Sequence, residues 1–105
     1  MAEIPELTNG EFESFIKEGI VLIDFFAEWC MPCMMMLPIL EDVAEEFKDK
    51  LKIGKVNVED NADIAQKQEV GSIPNFIVFK DGKKIDQFMG SMTQDELTEK
   101  IKEHL

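Results

Sequence analysis

Apolar residues recur along this chain with two periods, and the switches between periods divide it into elements. Thr8-Asn9-Gly10-Glu11 has the spacing of a capping box and opens a short helix with Phe12, Phe15 and Ile16 on one side. Gly19 ends that helix. Residues 20–27, IVLIDFFA, are almost wholly apolar and β-branched at the start, which predicts a strand covered on both faces. From Cys33 to Phe47 the period changes. Leu37, Leu40, Val43, Ala44 and Phe47 return at helical spacing while Glu41, Asp42, Glu45 and Glu46 fill the outside. Pro38 lies within this helix and is expected to kink it.

Residues 51–58, LKIGKVNV, read as a second buried strand, followed by a short capped helix from about Asn61 to Gln68. Strand, helix, strand and helix in succession imply a parallel pair with a right-handed crossover. The second half is built differently. Phe76 to Phe79 is a strand, Asp81-Gly82 a hairpin turn and Lys84 to Met89 the partner strand. Thr93-Gln94-Asp95-Glu96 is a second capping box and opens a last helix with Leu97 and Ile101 inward. The expected class is α/β, a mixed sheet with parallel central strands, an antiparallel hairpin and helices on both faces.

Composition narrows the function. A chain of 105 residues with 45% hydrophobic content makes one domain, residues 1–105, able to bury a core without crosslinks. The net charge of −11 repels nucleic acid, and the 11 basic residues are all lysine, so no bidentate phosphate fork exists. Much of this acidity reads as a solvated surface. The start, MAEIPELTNGEFESF, lacks a basic segment followed by an apolar one, so no signal peptide is expected. The longest apolar run is broken by Asp24, so no membrane span is expected either. The expected compartment is the cytoplasm, where thiols are kept reduced.

That setting sharpens the reading of EWCMPCMMM, residues 28–36, which holds the only two cysteines. A bridge between Cys30 and Cys33 closes too small a loop to stabilise the fold much. The pair falls where a buried strand hands over to a helix. Unpaired N–H groups and the positive end of the helix dipole favour a thiolate there. Cys30 is expected at the exposed start of the helix and Cys33 one turn inward, with Pro32 in the first turn. The spacing suits a reversible disulfide. It also suits a soft metal: two thiolates and nearby thioethers match Cu(I), whereas zinc wants four ligands and His104 lies far along the chain. His104 itself reads as a solvated ring.

The chain resembles the thioredoxin family over nearly its whole length. The resemblance rests on VLIDFFAEWCMPC, LKIGKVNVEDN, VGSIPNFIVFKDGK and the Met89-Gly90 pair before the last helix. It implies the thioredoxin fold, a three-layer α/β/α sandwich around a mixed sheet of four to five strands. It further implies a thiol–disulfide oxidoreductase that reduces protein disulfides. Cys30 matches the attacking thiol and Cys33 the resolving thiol; Asp24 matches a buried acid/base behind them and Lys55 a lysine that tunes it. Trp29, Met31, Pro32, Met34, Ile73, Pro74 and Gly90 match the surface that meets the substrate, with Pro74 in a cis bond. The resemblance implies no bound cofactor beyond a redox-active Cys30–Cys33 disulfide and no metal. Its partners would be disulfide-containing target proteins and a thioredoxin reductase, the chain acting as a monomer.

Some readings stay open at this level. Asp24 either points out at a strand edge or is buried, at a cost of several kcal/mol unless partnered or protonated. Lys55 alternates with Ile53 and is either solvated or aimed at Asp24. A glutaredoxin-like or oxidising role uses the same fold. The chain also departs from the common Trp-Cys-Gly-Pro-Cys-Lys: Met31 replaces Gly, Met34 replaces Lys, Phe26 stands where Trp is frequent, and Asn75 follows Pro74 where Thr is common. Loss of the lysine removes a cation that favours the thiolate. Six methionines, Met31, Met34, Met35, Met36, Met89 and Met92, flank the cysteines or Gly90. Met35 or Met36 is expected to face the core, while Met31 and Met34 are expected to form a soft contact surface.

Overall fold

A computed structural model describes residues 3–105. Helix α1 spans Asn9–Ile16, strand β1 Ile20–Phe26, helix α2 Met31–Glu46, strand β2 Lys52–Asn57 and helix α3 Ala62–Lys67. Strand β3 follows at Asn75–Lys80, strand β4 at Lys83–Met89 and helix α4 at Gln94–Lys102. Every expected element is present, with ends shifted by a residue or two. The sheet has four strands in the order β2-β1-β3-β4. β1 and β2 run parallel, and β1–β3 and β3–β4 are antiparallel. Where a fifth strand would lie, the N-terminal segment makes one parallel bridge between Glu6 and Lys55.

Alternation along β1 assigns the two faces. Leu22 packs with Met36, Leu40 and Val43 of α2 and Leu97 and Ile101 of α4. Val21, Ile23 and Phe25 pack with Phe12 and Ile16 of α1 and Ile64 of α3. The sheet is thus the middle of three layers, as the resemblance implies. Burial on both sides explains why β1 reads as a continuous apolar run.

The two capping boxes differ. At Thr93 both arms close: its hydroxyl accepts the Glu96 N–H at 3.1 Å, and its own N–H reaches the Glu96 carboxylate at 2.9 Å. At Thr8 the N–H reaches Glu11 at 2.9 Å, but the hydroxyl donates to the same carboxylate instead of accepting a backbone N–H. These contacts hold both carboxyls below the ordinary value. α2 runs unbroken through Pro38.

The two ends of the sheet differ in charge. At the start of β1 lie Lys17, Lys48, Lys50, Lys52, Lys80, Lys83 and Lys84, seven of the 11 lysines. The Asp81-Gly82 turn closes that end, with Asp81 Oδ1 accepting the Gly19 N–H at 2.8 Å. The cysteines follow the opposite end of β1. No helix among the described residues is long and apolar enough to cross a membrane.

Candidate functional site

Both cysteines lie at the head of α2, joined as a disulfide with Cα atoms 5.2 Å apart. Cys30 is the N-cap, in extended backbone conformation, and its sulfur accepts the Cys33 N–H at 3.2 Å. Pro32 occupies the first turn and so removes one N–H that would otherwise lack a partner. Cys33 is fully buried against Phe26 and Ala27. Cys30 is only 5% exposed, which corrects the expectation of an exposed thiol. As N-cap its side chain turns back over the helix end toward Cys33, in a cluster with Phe26 and Ala27 against which Met34, Val58 and Ile73 pack.

An open cavity of about 590 Å³ borders Cys30. Trp29, Met31 and Pro32 line it on one side and Ile73 on the other. Trp29 is 69% exposed and presents its ring to solvent beside the disulfide. The Ile73–Pro74 bond is cis, as the resemblance implies. Pro74 O accepts the Gly90 N–H at 2.9 Å, tying the end of β4 to this loop. Gly90 has φ +93°, a conformation that favours glycine. Val58, Val70, Gly71 and Ser72 also line the cavity. Sequence reading had not singled them out, although Val58 follows a parallel strand, where α/β sheets place their ligands.

Two residues before Phe26, which packs on the disulfide, Asp24 is fully buried. It shares the α2 side of the sheet with Leu22 and Phe26 by strand alternation. The edge-strand reading therefore fails, because β1 is central. Neither carboxylate oxygen has a hydrogen-bond partner. Desolvation pushes its pKa from the ordinary 3.8 up to about 7, while attraction to Lys55 opposes the rise. Lys55 stands directly across from Asp24 in the parallel register, with Phe76 on the other side. Lys55 is half-buried, with its ammonium 5.5 Å from the Phe26 ring.

The methionines separate by exposure. Met31 and Met35 are each 70% exposed, Met89 59% and Met36 only 1%. Met34 is half-buried on the Cys30–Cys33 cluster, which corrects its expected exposure. It lies one turn after Cys30 and so shares the cysteines' side of α2, while Met35 turns to solvent. His104 is a third correction: its ring nitrogen is 2.8 Å from Asp86 Oδ2 and its side chain is 18% exposed. The end of α4 folds back on β4 and shields the ring. No group of three or more His, Cys, Asp or Glu side chains able to hold a metal occurs among the described residues.

The arrangement offers a thiol pair at a helix N-terminus, a buried protonatable carboxyl on the strand that leads to it and an open cleft beside it. Comparison with known proteins agrees with that chemistry. The family model described as Thioredoxin matches residues 3–103. Thioredoxins of Staphylococcus aureus strains Mu50 and MW2 are each 41% identical over 102 residues, spanning 97% of this chain and 98% of theirs. A similar solved chain comes from work on the thiol resolving mechanism in yeast mitochondrial 1-Cys peroxiredoxin via glutathione/thioredoxin systems. It superposes with a TM-score of 0.86 at 36% identity, covering 95% of this chain and 94% of that one.

Proposed function

Because this chain belongs to the thioredoxin family and is a thiol–disulfide oxidoreductase, we propose how its own residues reduce protein disulfides. The reduced Cys30 thiolate attacks one sulfur of a target disulfide. A mixed disulfide forms and the target's second sulfur leaves as a thiolate. Cys33 then loses its proton to Asp24 through water and attacks the Cys30 sulfur. The target leaves with both sulfurs reduced, and the Cys30–Cys33 disulfide remains. A thioredoxin reductase restores the dithiol.

The observation that carries this reading is the disulfide at the head of α2, bordering an open apolar cleft. The Cys33 N–H directed at the Cys30 sulfur supports Cys30 as the thiol whose charge the helix end stabilises. Full burial of Cys33 supports its role as the resolving thiol, shielded from bulk oxidants. Asp24, with a pKa near neutrality, both takes and returns a proton at working pH. Lys55 limits how far that pKa rises. Trp29, Met31, Pro32, Met34, Ile73, Pro74 and Gly90 form the surface on which the target chain lies. The protein works as a single-domain monomer in the cytoplasm and needs no bound cofactor.

Cys33→Ser is expected to trap the mixed disulfide as a species with the combined mass of protein and target. Cys30→Ser is expected to trap nothing and to abolish turnover. Trapping by the Cys30→Ser variant instead would reverse the assignment.

A further inference from the structure

The methionines around this site carry a property that disulfide exchange does not use. Among the described residues every methionine lies at the cysteine end of the molecule. Met31 lines the cavity beside Cys30, and Met35 lines a second cavity of about 470 Å³ that also borders Pro32. Met89 reaches Ser72, whose hydroxyl donates to its sulfur at 3.0 Å, at the rim of the first cavity. These three thioethers are the exposed ones. Met36 is buried beneath them, and Met34 and Met92 pack against the core.

We infer that this face is a site of methionine oxidation that controls target recognition: a peroxide converts Met31, Met35 and Met89 to sulfoxides and weakens docking of protein disulfides, while the Cys30–Cys33 couple stays functional. The inference rests on the reading of Met31 and Pro32 as part of the target-binding surface, which Met35 borders at Pro32 and Met89 borders at Ser72. In the reaction the thioether sulfur attacks one peroxide oxygen. The S–O bond forms as the O–O bond breaks, and the sulfur loses two electrons. Hydrogen peroxide leaves as water after the proton of the transferred oxygen passes to the departing hydroxide. While Cys30 and Cys33 are joined, no thiolate competes for the peroxide. Oxidation turns a flexible apolar contact into a polar one, which must be desolvated against an apolar partner. Methionine sulfoxide reductases reverse the change. The Ser72 hydroxyl engages a lone pair of Met89, so Met89 reacts after Met31 and Met35.

The test treats the disulfide form with hydrogen peroxide and locates each added oxygen by peptide mass mapping. The treated protein is then assayed against a protein disulfide and a small aromatic disulfide. Expected are oxygen on Met31 and Met35 first, Met89 next and Met36 last. KM for the protein disulfide is expected to rise severalfold, with the small disulfide reduced at its former rate. The triple variant Met31→Leu/Met35→Leu/Met89→Leu, whatever its starting KM, is expected to keep that KM after peroxide. Three sulfoxides with an unchanged KM would overturn the inference, as would an equal loss on both substrates. Untreated protein that reduces neither disulfide would instead sink the oxidoreductase mechanism itself.

Discussion

Replacing Asp24 by Asn converts the buried carboxyl into a group of similar shape that never ionises. The carboxyl is fully buried, its oxygens have no partner, and its pKa is raised from 3.8 to about 7. Between those values the folded chain binds a proton that the unfolded chain has released. Stability from this group is therefore full below about pH 4 and is lost as pH rises through about 7. A gap of about three pH units corresponds to about 4 kcal/mol. Asp24→Asn is expected to match the parent near pH 4 and to exceed its stability by up to about 4 kcal/mol at pH 8. The assay is urea unfolding of both proteins in the disulfide form from pH 4 to 8. Using the disulfide form removes the thiols from the titration, and taking the difference cancels every group the two proteins share. Parallel curves would refute the reasoning, and a variant less stable at pH 8 would show that the ionised carboxylate has a favourable partner. The same variant is expected to release mixed disulfides more slowly, since Cys33 loses its proton acceptor.

Gly54→Ala is expected to destabilise by about 1–3 kcal/mol in the same assay. A Cβ there would meet Leu7 Cδ1 at 2.8 Å and Phe15 Cε2 at 3.0 Å, and no change would mean that Leu7 swings aside freely. Thr93→Ala is expected to cost about 1 kcal/mol through loss of the α4 cap, whereas Thr8→Ala should cost less because its hydroxyl caps no backbone N–H. Trp29 is the only tryptophan and the chain has no tyrosine, so its fluorescence is expected to follow the disulfide across defined thiol–disulfide potentials. A midpoint near about −270 mV, the general thioredoxin figure rather than one worked from this structure, fits a reductant; one near about −120 mV would make the protein an oxidant.

The fold was legible because each element carries its own local signal. β1 is buried on both faces and reads as a continuous apolar run, while α2 and α4 each expose one polar side. Thr93 and Glu96 announce a helix start from their spacing alone, and Asp81-Gly82 announces a turn. The placement of the cysteines at a strand–helix junction followed from the same local signals. What escaped was side-chain direction. A one-residue difference on a helix decides that Met35 faces water and Met34 the disulfide, and a sequence run of three methionines cannot rank them. The burial of Cys30 depends on its capping geometry, and the pairing of His104 with Asp86 on how α4 returns to β4. Both are tertiary outcomes. Asp24 was readable only as a conflict between a charge and an apolar run; the central position of β1 resolves that conflict.

Seven lysines at one end of the sheet leave the cysteine end with little positive charge in a chain of net charge −11. The molecule therefore has an electric polarity along its strands. In the field of an anionic protein it turns its lysine end inward and carries the disulfide away from the contact. A cationic surface turns it the other way and brings Trp29 and Cys30 to the front before any contact is made. The torque fades with added salt over a Debye length of about 10 Å at 0.1 M. Orientation during approach, and not affinity after it, is what this polarity governs.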